Sequence, residues 1–167
     1  MVSEKRPPVA VVMGSDSDMA AMQSCIEQLR YFGIDPLVRI ISAHRTPQVA
    51  ADFADKAAAK GIKVIIAAAG MAAHLAGSLA GRTTLPIVGV PLAAAEGMQG
   101  LDALLSTVQM PPGVPVATMA IGKPGAKNAA IFAVQILALG NKNLREKLTQ
   151  FKHRQEKKVI EKDAGLQ

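Results

Sequence analysis

Cysteine is nearly absent from this 167-residue chain: Cys25 stands alone. That excludes an intramolecular disulfide framework and any cysteine-rich zinc site, and it suits a reducing compartment. Aromatic residues make up only 3%, with no Trp and one Tyr. An isoalloxazine is normally flanked by aromatic rings, so a flavin carrier is a poor expectation. No apolar run reaches the roughly 18 residues that a membrane span needs. The opening MVSEKRPP lacks the apolar stretch of an export signal. A cytoplasmic protein with no membrane partner is expected.

Small apolar residues are abundant instead. Half of the chain is hydrophobic and only 19% is charged, and alanine alone occurs 29 times. Such a chain can bury a core, packed closely backbone to backbone, and does not have the composition of disorder. The net charge of +6 is uneven: from Asn141 onward there are eight Lys/Arg against four Asp/Glu, which leaves +2 for the remainder. A basic tail without interleaved aromatics reads as a solvated helix face, so no nucleic-acid partner is expected. The length suits one domain over residues 1–167, with 141–167 as a charged helical extension.

Short apolar runs alternate with helical patterns five times. Strands are predicted at Val9 to Met13, Pro36 to Ile41, Ile62 to Ala69, Pro86 to Val90 and Pro115 to Ala120. Helices are predicted at Asp18 to Phe32, Pro47 to Lys60, Ala72 to Ala80, Gly100 to Val108 and Pro124 to Leu139. Continuous apolar strands with interleaved helices indicate an α/β fold whose parallel sheet is covered on both faces. Thr46 before Pro47 predicts a capped helix start, and Gly33, Gly61 and Gly140 predict left-handed helix stops. Ala126 to Leu139 has almost no polar face, which predicts burial, with a second copy of the chain as a source of cover. A last helix carries Leu144, Leu148 and Phe151 on one stripe.

In an open parallel sheet, ligands bind beyond the carboxyl ends of the strands. Three predicted loops at that edge carry chemistry. Gly14, Ser15, Asp16, Ser17 and Asp18 precede a helix and offer backbone N–H groups to a phosphate, with Asp18 able to accept from ribose hydroxyls. The same residues also suit a plain helix cap. Ser42, His44 and Arg45 lie within four residues: Arg45 can grip phosphate bidentately, and His44 is a proton-transfer candidate because imidazole changes charge near neutral pH. Gly70, Met71, Ala72, Ala73 and His74 allow close backbone approach and an apolar wall. Cys25 and the eight Met residues read as core rather than as metal ligands.

The strings VVMGSDSD, ISAHRTP, AAGMAAHLAG, LPIVGVP and STVQMPPGVPVATMAIG together resemble the PurE family, the carboxyaminoimidazole ribonucleotide mutases of bacterial purine (IMP) synthesis. The resemblance runs from about Val9 to Leu139. It implies a flavodoxin-like three-layer αβα sandwich with strand order 2-1-3-4-5, a C-terminal helix and a homo-octamer. It also implies an isomerase that moves a carboxyl group from the exocyclic nitrogen of a ribonucleotide to ring carbon C4, with no cofactor and no metal. On that resemblance His44 is the general acid/base, Ser15, Asp18 and Arg45 bind the nucleotide with Gly14 and Ser17, and Ser42 lies beside the phosphate. Gly70, Met71, Ala72, Ala73 and His74 form the loop around the carboxylate and imidazole. Met71 stands where the family usually has glycine and Ala76 where it has proline, and the LAAAEGMQG segment after Pro91 is one residue longer. The nearest alternative is direct carboxylation of aminoimidazole ribonucleotide by CO2. That group usually has Lys at the Arg45 position and lacks the Ala72, Ala73, His74 run, so the mutase is favoured. A non-catalytic flavin or nucleotide carrier and a basic RNA-binding module are the more distant readings.

Overall fold

A computed structural model describes residues 7–95 and 97–166. The opening MVSEKR, part of the stretch read above as lacking an export signal, and Glu96 of the LAAAEGMQG segment lie outside the described residues. The strands are β1 (Val9–Met13), β2 (Leu37–Ile40), β3 (Val64–Gly70), β4 (Ile87–Leu92) and β5 (Ala117–Thr118). The helices are α1 (Met19–Tyr31), α2 (Pro47–Ala57), α3 (Leu75–Ala80), α4 (Leu101–Val108), α5 (Gly122–Ala138) and α6 (Lys142–Ala164). All pairings are parallel, in the order β2-β1-β3-β4-β5. The flavodoxin-like architecture is therefore as the sequence implies.

The apolar runs become strands because each residue has somewhere to be buried. Val9, Val11, Met13, Val64, Ile66 and Ala68 face the layer of α1 and α5. Ala10, Val12, Ile65 and Ala67 face the opposite layer with Phe53, Leu75 and Leu79. Burial at 0–2% on both faces of β1 and of Val64–Ala68 in β3 explains why neither strand shows a polar alternation. β5 keeps only Ala117–Thr118 of the predicted Pro115 to Ala120 run. It lies at the sheet edge, where Pro115 has no N–H to give to a ladder.

α5 is covered chiefly within the chain. Ala126, Ala129, Ala130, Ala133 and Val134 are fully buried against α1 and the sheet, while Leu139 remains 81% exposed. α6 contributes Leu144, Leu148 and Phe151 to this layer, and Phe151 meets Tyr31 and Phe32 edge-on at ring centroids 5.8 and 5.4 Å apart. Beyond Phe151 every described residue of α6 is exposed. No helix of the described residues is long and apolar enough to cross a membrane.

Two predicted helix signals work differently. Gly33 and Gly61 are left-handed stops, with φ of 82° and 88°, but Gly140 has no positive φ. The α5 end needs none, because Arg145 reaches back and its Nη2 donates to the carbonyls of Ala138 and Leu139. Thr46 stands at the N-cap position of α2 with Pro47 following, yet its hydroxyl makes no cap bond. It instead donates to the Ser42 carbonyl at 2.9 Å and accepts from the Ser42 N–H at 3.1 Å, closing the second loop on itself.

Candidate functional site

β1, β3 and β2 are neighbours, so the loops that follow them open on one edge of the sheet. There they form a cavity of about 490 Å³ lined by Gly14, Ser15, Ser17, Asp18, Ser42, Ala43, His44, Arg45, Ala69, Gly70, Met71, Ala72, His74, Leu75 and Ala94. Eleven of the twelve residues that the resemblance assigns to the site are thus brought together. The exception is Ala73, which is 2% exposed and does not line the cavity. The third loop ends at His74 because α3 begins at Leu75, later than the pattern predicts. The chain turns there at Met71, whose φ is +54°, and the His74 N–H closes back on the Ala72 carbonyl.

The first loop is both a helix cap and a wall of the cavity. Ser15 and Asp18 form a capping box: the Asp18 Oδ2 accepts the Ser15 N–H at 3.0 Å, and the Ser15 hydroxyl accepts from the turn's backbone. Burial pushes the Asp18 carboxyl above its usual range. The backbone N–H groups of Ser15 and Gly14 and the charge of Arg45 pull against that rise, while Asp16 adds to it. Gly14 is tied to the sheet through its N–H on the Ala68 carbonyl at 3.1 Å.

The second loop links the other two. The Ser42 hydroxyl accepts the Arg45 N–H at 3.1 Å, and Arg45 Nη2 donates to the Gly14 carbonyl at 3.1 Å, fixing the guanidinium over the first loop. His44 turns toward the third loop, where its Nε2 lies 2.8 Å from His74 Nδ1, with the rings edge to face at 4.9 Å and 88°. A hydrogen bond of this kind requires one ring nitrogen with a proton and one without. One ring's N–H therefore points at the other ring's free nitrogen. Both imidazoles and Arg45 are exposed in the isolated chain.

Ala43, Ala69, Leu75 and Ala94 also line the cavity and are absent from the sequence-based set. Ala94 was legible in principle, because β4 adjoins β3 and its following loop must open on the same edge. A larger cavity, about 820 Å³, lies at the other end of the sheet around Phe32, Ile34, Lys63, Leu137, Asn141 and Lys147. It contains no imidazole, and Lys147 Nζ is already bonded to the Phe32 carbonyl at 3.1 Å. No Phe or Tyr lines the smaller cavity, and Tyr31 and Phe32 are committed to Phe151, which leaves an isoalloxazine no aromatic flank. Cys25 is buried, with its thiol pushed up to about 12 by desolvation, and takes no part.

Residues 8–158 match the family model described as AIR carboxylase. The N5-carboxyaminoimidazole ribonucleotide mutase of Saccharolobus solfataricus is 52% identical over 145 residues, covering 87% of this chain and 90% of the relative. That of Mycobacterium leprae is 50% identical over 163 residues, covering 98% and 94%. Among solved structures, Treponema denticola PurE superposes with a TM-score of 0.86 at 29% identity, covering 95% of this chain and 98% of that one.

Proposed function

The chain belongs to the AIR carboxylase family, and we propose that it is an N5-carboxyaminoimidazole ribonucleotide mutase of purine biosynthesis, working in the cytoplasm with His44 as its proton carrier. The observation that carries this reading is the His44–His74 pair at 2.8 Å, set in one cavity with Arg45 and Asp18. An isomerisation that moves a carboxyl group from nitrogen to carbon needs a group that gives a proton in one step and takes one in the next. An imidazole whose ring nitrogen already shares a proton with a second imidazole suits that need.

The steps follow from the groups present. Arg45 holds the phosphate end, with Gly14, Ser15, Ser17 and Ser42 beside it, and Asp18 accepts from the ribose hydroxyls. Protonated His44 gives its proton to the carbamate nitrogen as the C–N bond breaks. The electron pair of that bond passes to nitrogen, and CO2 is formed. Ring carbon C4 then attacks the trapped CO2, and neutral His44 removes the C4 proton. The site ends with the proton count it began with, so no external acid, base or cofactor enters the balance. Ala72 and His74, with Gly70 and Met71, border the CO2, and holding it there supplies the proximity a free gas lacks. Ala73 supports the loop from beneath.

Purified protein mixed with the N-carboxylated nucleotide, without ATP or metal, should form the C4-carboxylated product. Product appearing only from aminoimidazole ribonucleotide and added CO2 would instead assign direct carboxylation.

The exposure of His44, Arg45 and His74 in one chain supports a homo-oligomer, because the reaction needs a dry crevice that one chain alone leaves open. Leu101, Leu105 and Val108 support it as well, forming an exposed apolar stripe on α4. We take the assembly to be an octamer, as the family resemblance implies. Light scattering coupled to size exclusion should give eight times the 17.4 kDa chain mass, and a monomer at micromolar concentration would contradict this.

A further inference from the structure

We propose that Thr46 is a positioning residue for the proton transfer: its hydroxyl clasps the loop that carries His44 and so fixes where the imidazole stands over the substrate. The inference rests on the mutase reading given above.

The second loop has firm ends and a middle that they do not shape. Ile41 is buried, and its N–H is held by the Met13 carbonyl at 2.8 Å. α2 begins at Pro47 and seats Ala50 and Phe53 in the core. Ser42 to Thr46 run between these anchors. A proline disfavours helical backbone at the residue before it, and Thr46 has φ of −135° and ψ of 56°. The loop is therefore no extra turn of α2, and the helix does not dictate its course.

Thr46 dictates it instead. Its N–H and its hydroxyl both donate to the Ser42 carbonyl, each at 2.9 Å, and the hydroxyl oxygen accepts the Ser42 N–H at 3.1 Å. The backbone bond alone makes a single α-turn. The two side-chain bonds tie both backbone polar groups of Ser42 into that turn. Ser42 is then placed to accept the Arg45 N–H on its own hydroxyl at 3.1 Å. These four bonds lie within five consecutive residues, so they do not depend on what a neighbouring copy places over the loop.

The hydroxyl is diverted from its ordinary use. Thr46 stands at the N-cap of α2, where threonine normally accepts a helix N–H, yet it makes no such bond. Elsewhere the chain caps in the usual way: the Asn141 side chain accepts the Leu144 N–H at the start of α6. A hydroxyl withheld from the helix and turned on Ser42 serves the geometry of the loop, and the loop carries His44 and Arg45.

Those two residues differ in what a shifted loop would do to them. Arg45 has a long side chain with its own hold on the Gly14 carbonyl at 3.1 Å, and it can swing to keep that hold. His44 bears its ring on a one-carbon stem, and the ring must meet His74 of the third loop at 2.8 Å. A displaced loop therefore spares the phosphate grip and misplaces the proton carrier.

The experiment measures turnover of the N-carboxylated nucleotide by the full-length protein and its Thr46→Val and Thr46→Ser variants. Turnover is counted per site that binds the C4-carboxylated product, so that unfolded protein does not enter. Thr46→Val keeps the shape without the hydroxyl and should lower turnover per site by roughly 10–10²-fold, the weight of a small misplacement at the reacting centre. Its product affinity should stay within a few-fold of the parent's, and Thr46→Ser should restore most of the turnover. Added to His44→Asn, Thr46→Val should cost nothing further, because it acts through the imidazole that is already gone. Should the valine variant fail to fold, Thr46→Ala removes the hydroxyl without setting a methyl against the Ser42 carbonyl and carries the same expectations. Parent-like turnover per site without the hydroxyl, equal losses of turnover and affinity, or losses that multiply with His44→Asn would each overturn the clasp and leave the mutase reading intact. Failure of the parent itself to form C4-carboxylated product overturns the mutase reading, and the clasp with it.

Discussion

Replacing His44 by asparagine should lower turnover of the N-carboxylated nucleotide by about 10²–10⁴-fold, the usual weight of a positioned proton carrier. Nucleotide binding should survive, because the anchoring groups are elsewhere. Arg45 is held by the Gly14 carbonyl and the Ser42 hydroxyl, and Asp18 by the Ser15 N–H, so none of them depends on the imidazole. Asparagine also keeps a side-chain donor near His74 without a nitrogen that exchanges protons near neutral pH. Turnover and affinity for the C4-carboxylated product, measured side by side, make the check. Near-normal turnover would reject His44 as the carrier, and lost affinity would assign it to binding.

The second large effect is on stability. Gly125→Ala should destabilise the protein by more than about 4 kcal/mol, which for a chain of this size lowers the thermal midpoint by roughly 10 °C. In most helices the exchange runs the other way and gains about 0.5–1 kcal/mol. Here the new methyl would collide with the Ala120 carbonyl oxygen, which lies against the first turn of α5, and backbone cannot swing aside as a side chain can. Relief would require α5 to move, and with it Ala126, Ala129, Ala130 and Ala133, which have no space between them and α1 or the sheet. Gly140→Ala is the control: its Cβ would meet nothing within 4 Å and its φ is not positive, so the midpoint should barely change. Thermal scans of the two variants against the parent decide it.

Much of this was legible in the residues because burial on both faces leaves a plain mark. Val9 to Met13 has to be an inner strand of a covered sheet, and once the order 2-1-3-4-5 is accepted the loops bearing Asp18, His44 and His74 must converge. What escaped was what depends on three-dimensional partners. The pattern of α5 says that it must be covered but not by what, and α1, the sheet and α6 together do it. Arg145 replaces the expected glycine stop at Gly140 by reaching back seven residues to the Ala138 carbonyl, and the Thr46 hydroxyl turns inward to Ser42 instead of capping α2. Ala73 reads like Ala72 in sequence, yet the turn at Met71 sends one into the core and the other to the rim. The pairing of His44 with His74 joins residues thirty positions apart, a distance only the sheet can close.

The order of the strands also separates chemistry from support along the chain. Every group lining the site has been synthesised by Ala94, whereas the helix that covers the back of β3 and β4 begins at Gly122. A nascent chain therefore carries its whole catalytic set before it owns the layer that holds the set in register. Activity must wait for the carboxyl-terminal third, which contributes no reacting atom and makes the first half competent.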